Sequence, residues 1–176
     1  MTRKKLAGIA ASGVLALTLA CAESQPEAAV QARPTPGPMQ PLADSGFVIG
    51  WGVPGVPATV SAGQRFAAAV IVENQSDQLW LDPKNADISG TGHGAVRLVY
   101  RWWKKGDDKT PAVDDQGARG DLTAPLPPGR AVVMAIQVTA PPAAGEYQLQ
   151  LDLCQELVSY FEPKGADRLL VPVTVK

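Results

Sequence analysis

The chain has 176 residues, 45% of them hydrophobic, and its 17 glycines and 16 prolines favour one domain with many turns rather than long helices. Three of its 16 basic residues lie in the first five positions, so residues 21–176 carry 13 basic residues against all 17 acidic ones. This balance argues against a nucleic-acid partner, whose phosphates call for a basic face.

Residues 1–20 have the pattern of an export signal helix. Basic residues precede the apolar run Leu6–Ala20, which is too short to span a bilayer comfortably. The end of the run, Leu17–Cys21, resembles a bacterial lipoprotein signal, in which the cysteine is lipidated after cleavage. Thr18 stands where that pattern prefers Leu. The alternative is an ordinary secretory signal in which Cys21 is incidental.

Residues 21–45 predict a disordered tether that begins with the lipidated Cys21. They are rich in Pro, Ala, Gln and Glu, with too few large apolar groups to offset the entropy of ordering. As a coil they would reach about 25–30 Å. A lipid on Cys21 would make the membrane one partner of the protein. Ala22 resembles the residue that directs lipoproteins to the outer membrane, so we expect a lipid-anchored protein of the bacterial cell envelope.

Residues 46–176 predict an all-β domain. The segment Gly145–Cys154 alternates Tyr and Leu with Gln, Asp and Cys, which gives a strand one apolar and one polar face. Arg65–Glu73 is apolar in both phases and predicts a central strand covered on both sides. The other predicted strands are Phe47–Trp51, Val96–Trp103, Arg130–Thr139 and Leu169–Val175, with shorter pieces at Ala58–Ser61, Leu79–Leu81 and Leu157–Phe161.

Two features favour an immunoglobulin-like antiparallel β-sandwich. Tyr100 and Trp102 share the apolar phase of their strand, so we expect both to be buried between two sheets, and a buried Trp there matches the one at the centre of such a sandwich. Pro142-x-x-Gly145-x-Tyr147 is the setting of a tyrosine corner, in which the hydroxyl bonds back to upstream backbone. An ordinary core tyrosine is the alternative for Tyr147.

The sequence contains no set of residues that predicts catalysis, a metal site or a cofactor. His93 is the only histidine, which excludes every site that needs two, and we expect it in an exposed loop. The glycines around it are not followed by the Gly-Lys-Ser/Thr of a phosphate-binding loop. Asp107-Asp108 and Asp114-Asp115 lack the alternating oxygen ligands of a calcium loop. Cys154 is interpreted as a small buried filler, with a reactive thiol as the alternative.

One polar strand face is the candidate binding face. Strands that correspond to Val96–Trp103 and Gly145–Cys154 lie side by side in immunoglobulin-like folds, which brings their outward residues together. Trp103 would supply a stacking surface and the others hydrogen-bonding groups. Asp152 is predicted to form an ion pair with Arg97 or Arg101 across the strands. The candidate face comprises Trp103, Arg97, Arg101, Gln148, Gln150 and Asp152.

A wider pattern carries a family resemblance. It runs from Tyr100-Arg101-Trp102 through Arg119 and Pro128-Gly129 to Pro142-x-x-Gly145-x-Tyr147-x-Leu149-x-x-Asp152-Leu153, Glu156 and Phe161. It resembles a bacterial Ig-like β-sandwich module of cell-envelope proteins, also appended to some membrane glycosyltransferases, and is distantly similar to the Trp-marked Ig-like domain of autophagy receptors. Tyr160 and Cys154 depart from the family pattern, where Trp and Val are usual.

The resemblance implies an accessory module without an active site. The leading interpretation is a membrane-anchored, non-catalytic interaction module that binds another envelope protein. The alternative is a carbohydrate-binding module for cell-surface polysaccharide, with Trp103 as the stacking residue.

Overall fold

A computed structural model describes residues 41–87, 92–107, 110–113 and 117–176. The predicted signal, Cys21 and the tether up to residue 40 lie outside the described residues, and so do Asp108, Asp114 and Asp115. Within the described ranges, no helix has the length and apolar character needed to cross a bilayer.

Strands dominate the described residues. Besides the strands, there is one helical turn, α1 (Pro83–Ala86), and there are 3₁₀ turns at Asp44–Gly46 and Glu162–Lys164. The strands are β1 (Ile49–Trp51), β2 (Thr59–Val60), β3 (Arg65–Asn74), β4 (Val96–Lys104), β5 (Gly120–Asp121), β6 (Ala131–Thr139), β7 (Gly145–Gln155), β8 (Ser159–Tyr160) and β9 (Leu169–Val175).

The strands form two sheets. The smaller has the order β1-β3-β6, and the larger has the order β2-β9-β7-β4-β5, with β8 paired to β7. Neighbouring strands are antiparallel except β2 and β9, which are parallel. The predicted all-β sandwich is therefore confirmed, with one short parallel pair at an edge of the larger sheet. Pro172, in β9, lies where β2 does not reach, so its missing N–H leaves no gap in the pairing.

The core lies between the two sheets and is built from the apolar phase of each long strand. Tyr100 and Trp102 are 2% and 0% exposed, as predicted, and they pair in register with Leu151 and Leu149 of β7. Trp102 also donates its indole N–H to the backbone oxygen of Thr139 in the opposite sheet, at 2.9 Å. Burying the apolar phases of β4 and β7 against β3 and β6 is what stabilises the sandwich.

The predicted tyrosine corner is present. The hydroxyl of Tyr147 donates to the backbone oxygen of Ala143, at 3.0 Å, and its ring lies edge-on to Trp102 with centroids 6.1 Å apart. Gly145 suits this arrangement, because its φ is 155° and a Cβ there would make a tight contact, 3.3 Å from a ring carbon of Tyr147. The hydrogen bond fixes the chain where it enters β7.

The sequence did not reveal a second aromatic cluster. Trp80 is fully buried, donates its indole N–H to the backbone oxygen of Gly46 at 2.9 Å, and packs edge-on against Phe161. Phe47 also packs edge-to-face against Phe161, with ring centroids 4.9 Å apart. The predicted strand around Trp80 is only an isolated bridge to Leu126.

Two further predicted strands differ from the structure. β3 is not covered on both sides, since its residues alternate between buried and mostly exposed along its length. The larger sheet packs on the face that carries Phe66, Val70 and Val72, while Ala67 and Ile71 on the other face are exposed. The predicted strand Leu157–Phe161 is shorter, because Leu157 has a φ of 61° and turns the chain before β8.

Candidate functional site

The pairing of β4 with β7 brings all six predicted face residues onto one side of the larger sheet. Arg101 pairs with Gln150 and Trp103 with Gln148. Asp152 pairs with Val99, which leaves Arg97 and Arg101 as its diagonal neighbours. The alternation of the two strands is enough to produce this arrangement, because paired residues of an antiparallel ladder project on the same side.

This polar face is largely buried. Gln150 is 1% exposed and Asp152 is 3% exposed, while the other four residues are partly buried. Part of the cover comes from β8, where the guanidinium of Arg101 lies 4.7 Å from the ring centroid of Tyr160. These side chains therefore act as an interior polar layer more than as an open surface.

Trp103 is engaged from two directions. Its indole N–H donates to the Oε1 atom of Gln150, which also accepts from Nη1 of Arg168 at 3.5 Å. The guanidinium of Arg168 lies 5.7 Å from the centroid of the Trp103 ring, within the range of a cation–π contact. The predicted stacking surface is thus partly occupied by residues of the chain itself.

Asp152 is held by backbone amides. Its Oδ1 atom accepts from the N–H of Leu153 at 2.7 Å, and its Oδ2 atom accepts from the N–H of Glu162 at 3.4 Å. Burial raises the pKa of Asp152 to about 6, against the smaller lowering effects of the two amides and of the Arg101 charge, while the charge of Glu162 raises it further. This carboxyl group therefore titrates in mildly acidic solution.

The predicted ion pair between Asp152 and an arginine is wrong. Among the ion pairs of the described residues, Arg97 joins Asp121, with 2.9 Å between Nε and Oδ1, and Glu156, with 3.6 Å between Nη1 and Oε2. The Nε contact is electrostatic, since it lacks hydrogen-bond alignment. The physical reason is register: β5 places Asp121 directly opposite Arg97, nearer than the diagonal Asp152.

Arg97 belongs to a charged cluster at the start of β4. Arg119 donates from Nε to Oε2 of Glu156 at 2.8 Å. Burial raises the pKa of Glu156, but the hydrogen bond and charge of Arg119, together with Arg97, outweigh it and hold that pKa below its usual value. Sequence reasoning named Arg119 and Glu156 only within the family pattern, because the spacing of these residues gives no sign that they meet.

A cleft of about 230 Å³ opens beside this cluster. Arg119, Glu156, Tyr160 and the buried Cys154 lie along it, and the Sγ atom of Cys154 is 3.9 Å from Oε2 of Glu156. Because the carboxylate lies between two arginines, it is a structural anion and not an available base. In the ranges that the structure describes, no group of three or more His, Cys, Asp or Glu residues is arranged to hold a metal ion.

The smaller sheet presents a different kind of surface. We call it the outer sheet face and define it as the outward phase of β3 and β6, comprising Arg65, Ala67, Ala69, Ile71, Glu73, Ala131, Val133, Ala135, Gln137 and Thr139. Ile71 is 42% exposed and Val133 is 65% exposed, and the two are cross-strand partners. Four of the eight other residues are alanines, so the middle of the face is apolar, with Ile71 and Val133 as its one ridge.

Comparison with known proteins adds nothing beyond distant structural neighbours. No protein-family model and no curated protein sequence matches the chain. Among solved structures, similar chains include a β-glucosidase of Erythrobacter marinus (15% identity, TM-score 0.41), a β-glucosidase of Listeria innocua (10%, 0.39) and the native conformation of the Escherichia coli α-2-macroglobulin (12%, 0.38).

These matches cover 72–73% of this chain but only 15%, 16% and 6% of the respective neighbours. The chain therefore spans a small part of each of them. At these identities and TM-scores, the similarity carries no argument about activity, ligands or partners.

Proposed function

We propose that the protein is a membrane-anchored, non-catalytic interaction module of the bacterial cell envelope, which binds another envelope protein through the outer sheet face. The observation that carries this proposal is the exposure of Ile71 and Val133, which are cross-strand partners on the outer sheet face. Contiguous exposed apolar patches on soluble domains commonly mark protein–protein contacts.

The condition of the polar face supports a protein partner over a polysaccharide. A sugar-binding face needs an open aromatic ring and polar groups that are still available for hydrogen bonding. Here the ring of Trp103 is approached by Arg168, and its N–H is used by Gln150. Asp152 is buried and accepts from two backbone amides. These groups already serve the fold.

The anchor in this proposal is the lipid on Cys21, which follows from the signal-like pattern of residues 1–21. A tether of about 25–30 Å would hold the domain close to the membrane surface. An apolar face of modest size is suited to that setting, because tethering raises the effective concentration of two partners on one membrane.

A photo-crosslinking experiment tests the protein partner. A photoreactive residue at Val133 should trap a protein when the full-length chain is in its membrane, and the same residue at Leu157 should not. Leu157 is a matched control, since it is 73% exposed and apolar but lies on the turn before β8. Equal trapping from both positions, or from neither, would contradict the proposal.

A second measurement addresses the carbohydrate alternative. Polysaccharide pull-down with the full-length chain and with Trp103→Ala should show no binding that depends on Trp103. Binding that disappears in Trp103→Ala would replace the protein-binding proposal with the carbohydrate one.

A further inference from the structure

We infer that the partner of the outer sheet face is a second copy of this chain, packed face to face about a two-fold axis. This inference rests on the proposed function, because it names the occupant of the same surface. The arrangement follows from how the charges and the side-chain sizes are distributed along β3 and β6.

The charges of the face are self-complementary. Arg65 and Glu73 lie at opposite ends of β3 in the same phase, about 27 Å apart at the usual rise of a strand. In an isologous interface, if one residue contacts a second residue of the partner copy, that second residue contacts the first residue of the partner copy in the same way. If two copies of β3 cross in antiparallel directions, Arg65 of each copy meets Glu73 of the other, and both ends are matched.

The same symmetry matches the shapes. The midpoint between Arg65 and Glu73 is Ala69, whose cross-strand partner is Ala135. We place the two-fold axis midway between the two sheets and parallel to this pair of alanines. The sheets then approach each other most closely where the side chains are small. Small residues at the centre of such a contact allow the two sheets to reach their usual spacing of about 10 Å.

The ridge then has a place to pack. The rows on either side of the axis are Ile71 with Val133 and Ala67 with Gln137. The two-fold axis places the Ile71–Val133 pair of each copy over the Ala67–Gln137 pair of the other. The larger apolar side chains then pack beside the small side chain of Ala67. Gly52 helps to set the position of the ridge, because a Cβ there would stand 2.6 Å from Cβ of Ile71.

The size of the face sets the expected strength. The two strands of the face, about 4.8 Å apart and about 27 Å long, give roughly 260 Å² per copy. A stable standard interface buries about 800 Å² per partner. We therefore expect a weak dimer that forms at the effective concentrations of tethered proteins, on the order of 1 mM, and separates on dilution.

Cysteine crosslinking of the full-length chain at protein concentrations up to about 1 mM tests the symmetry directly. Ala135→Cys lies on the proposed axis and should crosslink to its own counterpart with a short bifunctional thiol reagent. Gln137→Cys alone should not crosslink, because the two substituted residues of the dimer would lie about 13 Å apart along the strand direction. A mixture of Gln137→Cys and Val133→Cys chains should crosslink. The parent chain, with Cys21 and Cys154, gives the background.

Charge reversal supplies an independent readout. Arg65→Glu or Glu73→Arg alone should weaken dimerisation, measured by sedimentation, about tenfold or more, since each places two like-charged pairs in the contact. The double variant should restore it. Val133→Asp should also weaken dimerisation, and Leu157→Asp, the control, should not. Circular dichroism of each variant checks folding.

The outcomes separate this inference from the proposed function. Self-crosslinking at residue 135 with rescue by the double charge reversal supports the dimer. A chain that stays monomeric up to about 1 mM, or a dimer insensitive to these changes, overturns it. If residue 133 traps only a different protein, the second copy is excluded while the interaction module stands.

Discussion

The carboxylate of Asp152 accepts a hydrogen bond from the backbone N–H of Glu162, across ten residues of sequence. This contact ties β7 to the 3₁₀ turn that follows β8. Asp152 is buried, 3% exposed, and its oxygens hold these two segments together. Because its pKa is raised to about 6, the stability of the fold should depend on pH.

Asp152→Asn should flatten part of the pH dependence of stability. Folding raises the pKa of Asp152 from 3.8 to about 6, so the folded state binds more protons between these values and stability falls as pH rises through this window. Over this window the free energy of unfolding should fall by about 3 kcal/mol in the parent chain, and this decrease should be absent in the variant. Denaturant unfolding at pH 4 to 7 measures it. Asp167→Asn, an exposed acid, is the control, and an unchanged slope in Asp152→Asn would contradict the prediction.

Glu156→Gln should act in the opposite direction. The pKa of Glu156 is lowered in the folded state, so its stabilising contribution is present above about 4.5 and is lost as pH falls through the lower, folded value. The variant should lose about 2 kcal/mol at pH 7 and less at pH 3. Glu146→Gln removes an exposed partner of Lys105 and should cost less than about 1 kcal/mol. Similar losses in the two variants at pH 7 would count against a structural role for Glu156.

The two adjacent tryptophans of β4 should differ in their contribution to stability. Trp102→Ala empties a fully buried site and should cost about 3–5 kcal/mol. Trp103→Ala removes a half-buried ring and one hydrogen bond to Gln150, for about 1–2 kcal/mol. Urea unfolding of both variants at pH 7 measures the difference, and equal losses would show that the two sides of the strand are equivalent.

Cys21→Ser should release the protein from the membrane fraction or stall its processing. The mature parent chain should begin at Cys21, carry lipid and partition into detergent, because an acyl chain supplies the apolar surface that the tether lacks. Mass spectrometry of the N-terminus and detergent phase separation are the measurements. An unmodified N-terminus at another residue would exclude the lipid anchor.

The sequence predicted the long strands well because their alternation is strong. β4, β6 and β7 fall where apolar and polar residues alternate, and Tyr100, Trp102 and Tyr147 occupy the buried positions expected of them. Alternation alone also predicts which residues share a face. It does not say whether a face is open to solvent, and the face of Gln150 and Asp152 is closed.

The ion-pair partners of the residues on that face could not be predicted, because they come from segments distant in sequence. β5 has only two residues in a segment rich in proline and glycine, yet it delivers Asp121 to Arg97. The aromatic cluster joins Trp80 to Phe161, which is 81 residues further along the chain. Periodicity reports on neighbours along a strand, so such long-range pairs stay hidden until the chain is folded.

The sequence by itself determined the β class, the phase of β4, β6 and β7, and the tyrosine corner, because these follow from side-chain alternation and local turn chemistry. Only the tertiary structure decided which strand faces are covered. β3 is apolar in both phases, and its sequence is compatible with cover on both sides; the arrangement of the two sheets covers only one. The second face, with Ile71 and Val133 exposed, became a candidate interaction surface because burial is a property of the whole fold and not of the strand.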